Sequence, residues 1–215
     1  MVAVPILQAA RIHVENLKYA PTIPEKTMLC HIIADSILPI GQRNMLKMLE
    51  QDMRGKEYSE KVVSLSGVSH DNPEEFIAAI EKIKAETERR YKEQGIERVE
   101  FVAACPNTAL VSKVQSVLGI KAIAFKPCKE GEVDIIQVEG IMLALRALHS
   151  GKIETLKAAF KIINGEDLPP DLLKITDINE LARRIIFILP AAKAVDYGEI
   201  RELNDIIRKN IKAAA

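Results

Sequence analysis

Short, nearly uninterrupted apolar runs alternate along this chain with stretches of helical period, and that alternation restricts the fold more than any other feature. The first run is Met28–Ala34, ending at Asp35-Ser36, and the second is Val62–Leu65, ending at Ser66-Gly67. Val99–Ala104 follows, and then Lys121–Phe125, which leads into Lys126-Pro127-Cys128. Between the runs, apolar residues recur at helical spacing: Met45, Leu46, Leu49 and Met53, then Phe76, Ile77, Ile80 and Ile83, then Leu110, Val111, Val114, Val117 and Leu118. Strands apolar on both faces and separated by helices belong to a parallel sheet buried between two helical layers. The expected fold class is therefore α/β, a doubly wound, Rossmann- or flavodoxin-like, mostly parallel sheet of 4–5 strands with helices on both faces. Val133–Val138 is the candidate fifth strand, before a helix from about Gly140 to Ser150.

Local punctuation agrees with this reading. Asn72-Pro73-Glu74-Glu75 supplies an N-cap, a proline at the first helical position and a glutamate three residues after the cap, and Gly95 and Gly119 stop helices. Past Gly151 the strand-like runs cease. Ile153, Leu156, Phe160 and Ile163 make one amphipathic helix, and Asp177-Ile178-Asn179-Glu180 and Asp196-Tyr197-Gly198-Glu199 are capping patterns that open two more. Ile185–Leu189 is apolar all round its helix, and Ile200, Leu203, Ile206, Ile207 and Ile211 form an inward stripe. Such surface needs a covering partner, either the α/β domain or a second copy of the chain, and a homodimer is the expectation. The chain thus divides into an N-terminal arm (1–26), a three-layer α/β ligand-binding domain (27–150) and a helical C-terminal segment (151–215) that serves packing or dimerisation.

Composition removes several function classes. Thirty basic residues balance thirty acidic ones, which argues against a dedicated nucleic-acid binder. Arg89, Arg90 and Lys92 are interleaved with glutamates and read as a solvated helix face. No run is long and apolar enough for a membrane span, and no signal-peptide pattern opens the chain, so a cytoplasmic location is expected. Cys30, Cys105 and Cys128 are widely spaced without a CxxC pair, so neither a disulfide framework nor a metal site is expected.

In a sheet of this kind every strand tip lies on one edge, so Asp35-Ser36, Ser66-Gly67, Cys105 to Thr108 and Lys126 are the candidate ligand-binding loops. Cys105 stands where a strand enters a helix N-terminus; it is either a thiolate for nucleophilic or acid/base chemistry or a small, half-buried residue at a strand end, with Asn107 capping the helix. Asp35 is a general base, a metal ligand or a ribose-binding carboxylate, or else a turn residue beside Ser36. Ser66 and Gly67 can cradle an anion, although their loop is neither a GxGxxG nor a P-loop. Asn107 and Thr108 supply an amide and a hydroxyl, and Lys126 an ammonium beside Pro127. His31 falls mid-strand, and His149 near a helix end, where the dipole favours it.

Three families share local features with this chain. Ala104-Cys105-Pro106-Asn107-Thr108 resembles the Ala-Cys-Asn-Thr motif of aspartate/glutamate racemases, and Asp35-Ser36 lies where that family has an acidic-serine pair. The resemblance implies proton transfer at an α-carbon through Cys105, but Pro106 interrupts the motif, and the later glycines and the partner cysteine motif are absent. Val99–Pro127 is similar to the last part of response-regulator receiver domains, ending in Lys126-Pro127. Ala103 and Ala104 replace the Ser or Thr of that family and no aspartate ends the preceding strand, so the likeness implies a pseudo-receiver that is not phosphorylated in the usual way. Val62–Ile80 resembles the second strand and helix of cobalamin-binding domains, without the histidine-bearing loop, so cobalamin does not carry over. All three return one fold and no common function.

The expectation for function is binding of a small anionic metabolite or cofactor, of unspecified identity, at the C-terminal edge of the sheet. Enzymatic use of a thiol or carboxylate, through Cys105 and Asp35, is left open. The alternative is a non-catalytic, pseudo-receiver-like regulatory or scaffold module with a helical dimerisation segment.

Overall fold

In a computed structural model, which describes residues 21–54, 59–125, 127, 138–164 and 167–188, the four apolar runs form one parallel sheet. The strands are β1 (Thr27–Ala34), β2 (Glu60–Leu65), β3 (Arg98–Cys105) and β4 (Lys121–Ala124), in the order β2-β1-β3-β4. All pairings are parallel, with Leu29 beside both Glu60 and Glu100, and Val102 beside both His31 and Lys121. Every residue of β1 is buried, as a central strand covered on both faces requires.

Seven helices are described: α1 (Ile40–Arg54), α2 (Pro73–Glu93), α3 (Thr108–Leu118), α4 (Val138–Ser150), α5 (Ile153–Asn164), α6 (Pro170–Leu173) and α7 (Ile178–Ile188). Strand alternation assigns them to layers. Lys84 of α2 lies over the Phe101 ring at 5.9 Å, and α2 packs against α3, which packs against β3 and β4. The other face carries Glu60, Glu100 and Lys121, and these side chains meet α4. Helix α1 packs along β2 and joins the α4 layer, where Gln42 Oε1 accepts from Val138 N at 3.2 Å. Helix α5 packs on α4, and α7 touches both α5 and the outer strand β4. The fold is a doubly wound α/β sheet with helices on both faces.

The caps sit where the sequence marks them. Asn72 Oδ1 accepts from Glu75 N at 3.3 Å, Asn107 Oδ1 from Leu110 N at 2.9 Å and Asp177 Oδ1 from Glu180 N at 2.7 Å. Gly119 closes α3 in the left-handed region, with φ 66°. The outer strand β2 gains a side-chain partner: Glu50 Oε2 of α1 accepts from Ser64 N at 3.4 Å.

Two elements differ from expectation. Val138 begins α4 rather than ending a strand, because it enters an almost wholly buried helix; Val133 to Gln137 lie outside the described residues. The short helix α6 follows Pro169 and Pro170, whose fixed φ starts a turn that carries no periodic signal. Of the arm, residues 21–26 run into β1 and the Lys26 carbonyl accepts from Glu97 N at 2.8 Å; residues 1–20 lie outside the description. The side chains of the expected dimer surface at 185–189 and 200–211 are also outside it. Among the described residues no helix is long and apolar enough to cross a membrane.

The core is continuous from α2 through the sheet to α4 and α5, with Phe76, Ile80, Leu29, Ile33, Leu145 and Leu156 all 1% exposed or less. Phe76→Ala removes a fully buried ring from the α2 layer and is expected to cost about 3–5 kcal/mol of unfolding free energy, read by urea denaturation.

Candidate functional site

The strand tips are a topological switch point. After β1 the chain passes to the α4 layer through α1, and after β3 it passes to the opposite layer through α3, so the β1 and β3 tips flank a divide. Asp35 and Ser36 occupy a single 3-10 turn there, half-buried, with Leu38 N donating to the Asp35 carbonyl at 3.0 Å. Ser66 and Gly67 are exposed at the end of β2, one strand outward, and Ser66 Oγ lies 3.0 Å from Ser64 Oγ. Asn107 is spent on capping α3, and Thr108 is its exposed first residue. Lys126 lies outside the described residues, as does Cys128.

For Cys105 the packed reading gains the support. Strand alternation turns it to the same face as Phe101, into the α2–α3 layer and away from the crevice. It is 0% exposed, and burial pushes its thiol up to about 12. Burial thus disfavours the thiolate alternative at this strand end, and Asn107 caps the helix that follows. Cys30 behaves alike, pushed up to about 12 by burial and then by the charge of Glu50.

A group of charged residues lies instead beneath α4, toward the start of the strands. His31, 0% exposed, donates from Nε2 to Glu60 Oε2 at 2.9 Å, since an ionised carboxylate only accepts. Arg146 Nε donates to the same oxygen at 3.0 Å. Beside them His149 Nε2 bonds to Glu100, whose other oxygen is 2.8 Å from Arg98. Lys121 Nζ donates to the carbonyls of Leu148 and His149 at 3.2 and 3.3 Å, closing the end of α4. The Nδ1 atoms of His31 and His149 are buried and have no hydrogen-bond partner among the described residues.

Burial lowers the His31 pKa below its ordinary value, outweighing Glu60, and Arg146 and His149 lower it further. Burial alone would raise Glu60, but the hydrogen bond and charge of His31, followed by Arg146, hold its carboxyl below the usual range. Glu100 is lowered first by its His149 hydrogen bond, against the effect of burial, and then by Arg98. The network is sealed from solvent at its centre, so it binds α4 to the sheet and offers no access to a substrate.

Open space lies elsewhere. A cleft of about 480 Å³ runs between α3 and α7 beside β4, bounded by Thr108, Ser112, Gln115, Lys121, Asn179 and Arg183 over an aliphatic floor. Lys121 and Arg183 are the ionisable groups among its described lining residues, and both are cationic. Two protons of the Lys121 ammonium serve α4, which leaves one without a hydrogen-bond partner among the described residues, while its charge also acts on Glu100. Of the described residues expected to bind ligand, Thr108 alone reaches this cleft, and Asp35, Ser36, Ser66, Gly67 and Asn107 do not. Sequence reasoning missed Gln115, Lys121, Asn179 and Arg183 because the cleft joins helices about seventy residues apart in the chain. Among the described residues no His, Cys, Asp and Glu cluster is placed to hold a metal ion.

No protein-family model, curated protein or solved structure matches this chain.

Two outcomes follow from the buried groups. In the native protein Cys105 is expected to react with a thiol-specific disulfide reagent at least about a hundredfold more slowly than after unfolding, by peptide mass spectrometry; equal rates would refute its burial. For His31 the folded pKa lies below the unfolded one, so the unfolded chain takes up the proton first and stability falls as pH drops below about 6.5. Glu60 adds to the loss at lower pH, with the same sign. His31→Gln, which still donates to Glu60 but does not titrate, is expected to flatten that loss in denaturant titrations.

Proposed function

We propose that this protein binds a small anionic molecule, and that the site is the cleft between α3 and α7. The observation that carries the reading is the pairing of Lys121 and Arg183 in one cleft whose described lining holds no carboxylate. A site with two cations and no carboxylate among its described lining residues gains from an anion, and the amides of Gln115 and Asn179 can add to its coordination, the Ser112 hydroxyl being spent on the Thr108 carbonyl. Arg183 forms no ion pair among the described residues, whereas its neighbour Arg184 is held by Glu180 at 2.7 Å. The guanidinium of Arg183 is thus available to a ligand. This reading moves the site from the strand tips to the flank of the sheet, and needs no thiol chemistry.

The receiver-like scaffold reading draws support from the strand order β2-β1-β3-β4, which flavodoxin-like sheets share. It expects no small-molecule binding.

Isothermal titration separates the two. Chloride-free protein titrated with a panel of organic carboxylates and phosphates is expected to bind at least one of them, while their neutral amide or alcohol analogues bind poorly. Arg183→Glu, at an exposed helix position, is expected to weaken binding by about 10- to 100-fold with the fold unchanged by circular dichroism. Silence from the whole panel would leave the scaffold reading.

A further inference from the structure

The lining of the same cleft narrows the class of anion, on the premise that the cleft is the binding site. Its floor is Val111 from α3, Ala122 from β4, Leu148 from α4 and Ala182 from α7. Each of these is between 5% and 7% exposed, so each keeps a small open face while its body belongs to the core. The floor is aliphatic throughout, contributed by both helical layers, the edge strand and α7. Such a surface has no use for a ligand that is polar all over, because contact with it strips water from the ligand's polar groups without returning hydrogen bonds.

What the described lining lacks is equally informative about chemistry. It carries no aromatic ring, so no described residue there offers a nucleobase a face to stack on. It carries no carboxylate, so the ammonium of an amino acid has no counter-charge. The remaining pattern is a rim of two cations, Lys121 and Arg183, and uncharged polar side chains over an aliphatic floor. From it we infer that the ligand is an aliphatic carboxylate: a planar anionic head met by the Arg183 fork and the spare Lys121 proton, with an alkyl tail along Val111, Ala122, Leu148 and Ala182.

A head and a tail that act separately leave a measurable signature. Burying methylenes strengthens binding in steps, while removing the charge weakens every member of the series alike. Titration of the full chain with butanoate, hexanoate and octanoate is expected to tighten Kd by about three- to tenfold per two carbons, levelling off once the tail outgrows the floor. 1-Octanol, with the tail and no charge, is expected to bind at least about tenfold more weakly than octanoate. Arg183→Glu is expected to weaken octanoate by the same factor and to leave the chain-length slope in place. Phosphate or AMP binding as tightly as octanoate, or a flat chain-length series, overturns the inference while the anion-binding reading stands. Octanoate binding that ignores both Arg183→Glu and the loss of charge in octanol marks unspecific adsorption to apolar surface and also overturns it. If no carboxylate, phosphate or nucleotide binds, both readings fall together.

Discussion

One oxygen of Glu60 holds the two halves of this molecule in register. A helix as apolar as α4 is a natural cover for a sheet, yet it carries Arg146 in its interior, and the sheet face beneath it carries Glu60 and Glu100. Each of these charges would be costly if buried alone. Convergence of Arg146 and His31 on Glu60 Oε2 resolves that cost at one rotation of the helix about its own axis and at one position along the strands. Apolar packing by Leu143, Leu145 and Leu148 supplies the stabilisation, but leucines tolerate many arrangements. The ionic network selects among them. Everything stacked on α4, including α5 and through it α7, inherits that choice.

The fold was largely legible in the residues because it rests on local devices. Four apolar runs became four strands, and Asn72, Asn107 and Asp177 capped the helices that their spacing predicted. Such signals are written within a few residues of where they act. The base of the sheet was not legible in the same way. Glu60 and Glu100 sit at strand starts, where charges are ordinarily solvated, and the single local clue was an arginine inside the run Ile141–Leu148.

The candidate site was less readable still. Cys105 drew attention by its place at a strand-helix junction, and one step of strand alternation turned it into the core. Asn107 proved to be a cap, a role visible in the sequence, and its neighbour Thr108 borders the open cleft. The cleft itself depends on where α7 comes to rest, which is a matter of tertiary packing between distant segments. Composition carried none of the answer, because a balanced chain can concentrate two cations locally without advertising them in its net charge.

The contact between Glu50 and the Ser64 amide reaches beyond the strand it decorates. A parallel sheet exposes a ladder of unused donors along its outer strand, and any extended chain with the right spacing can dock there. On β2 a carboxylate from α1 occupies one such rung, and it presents negative charge where an incoming carbonyl oxygen would have to sit. At that rung a strand added from outside would have to displace a carboxylate that the protein itself supplies, so the helix that connects β1 to β2 competes for the sheet's own edge.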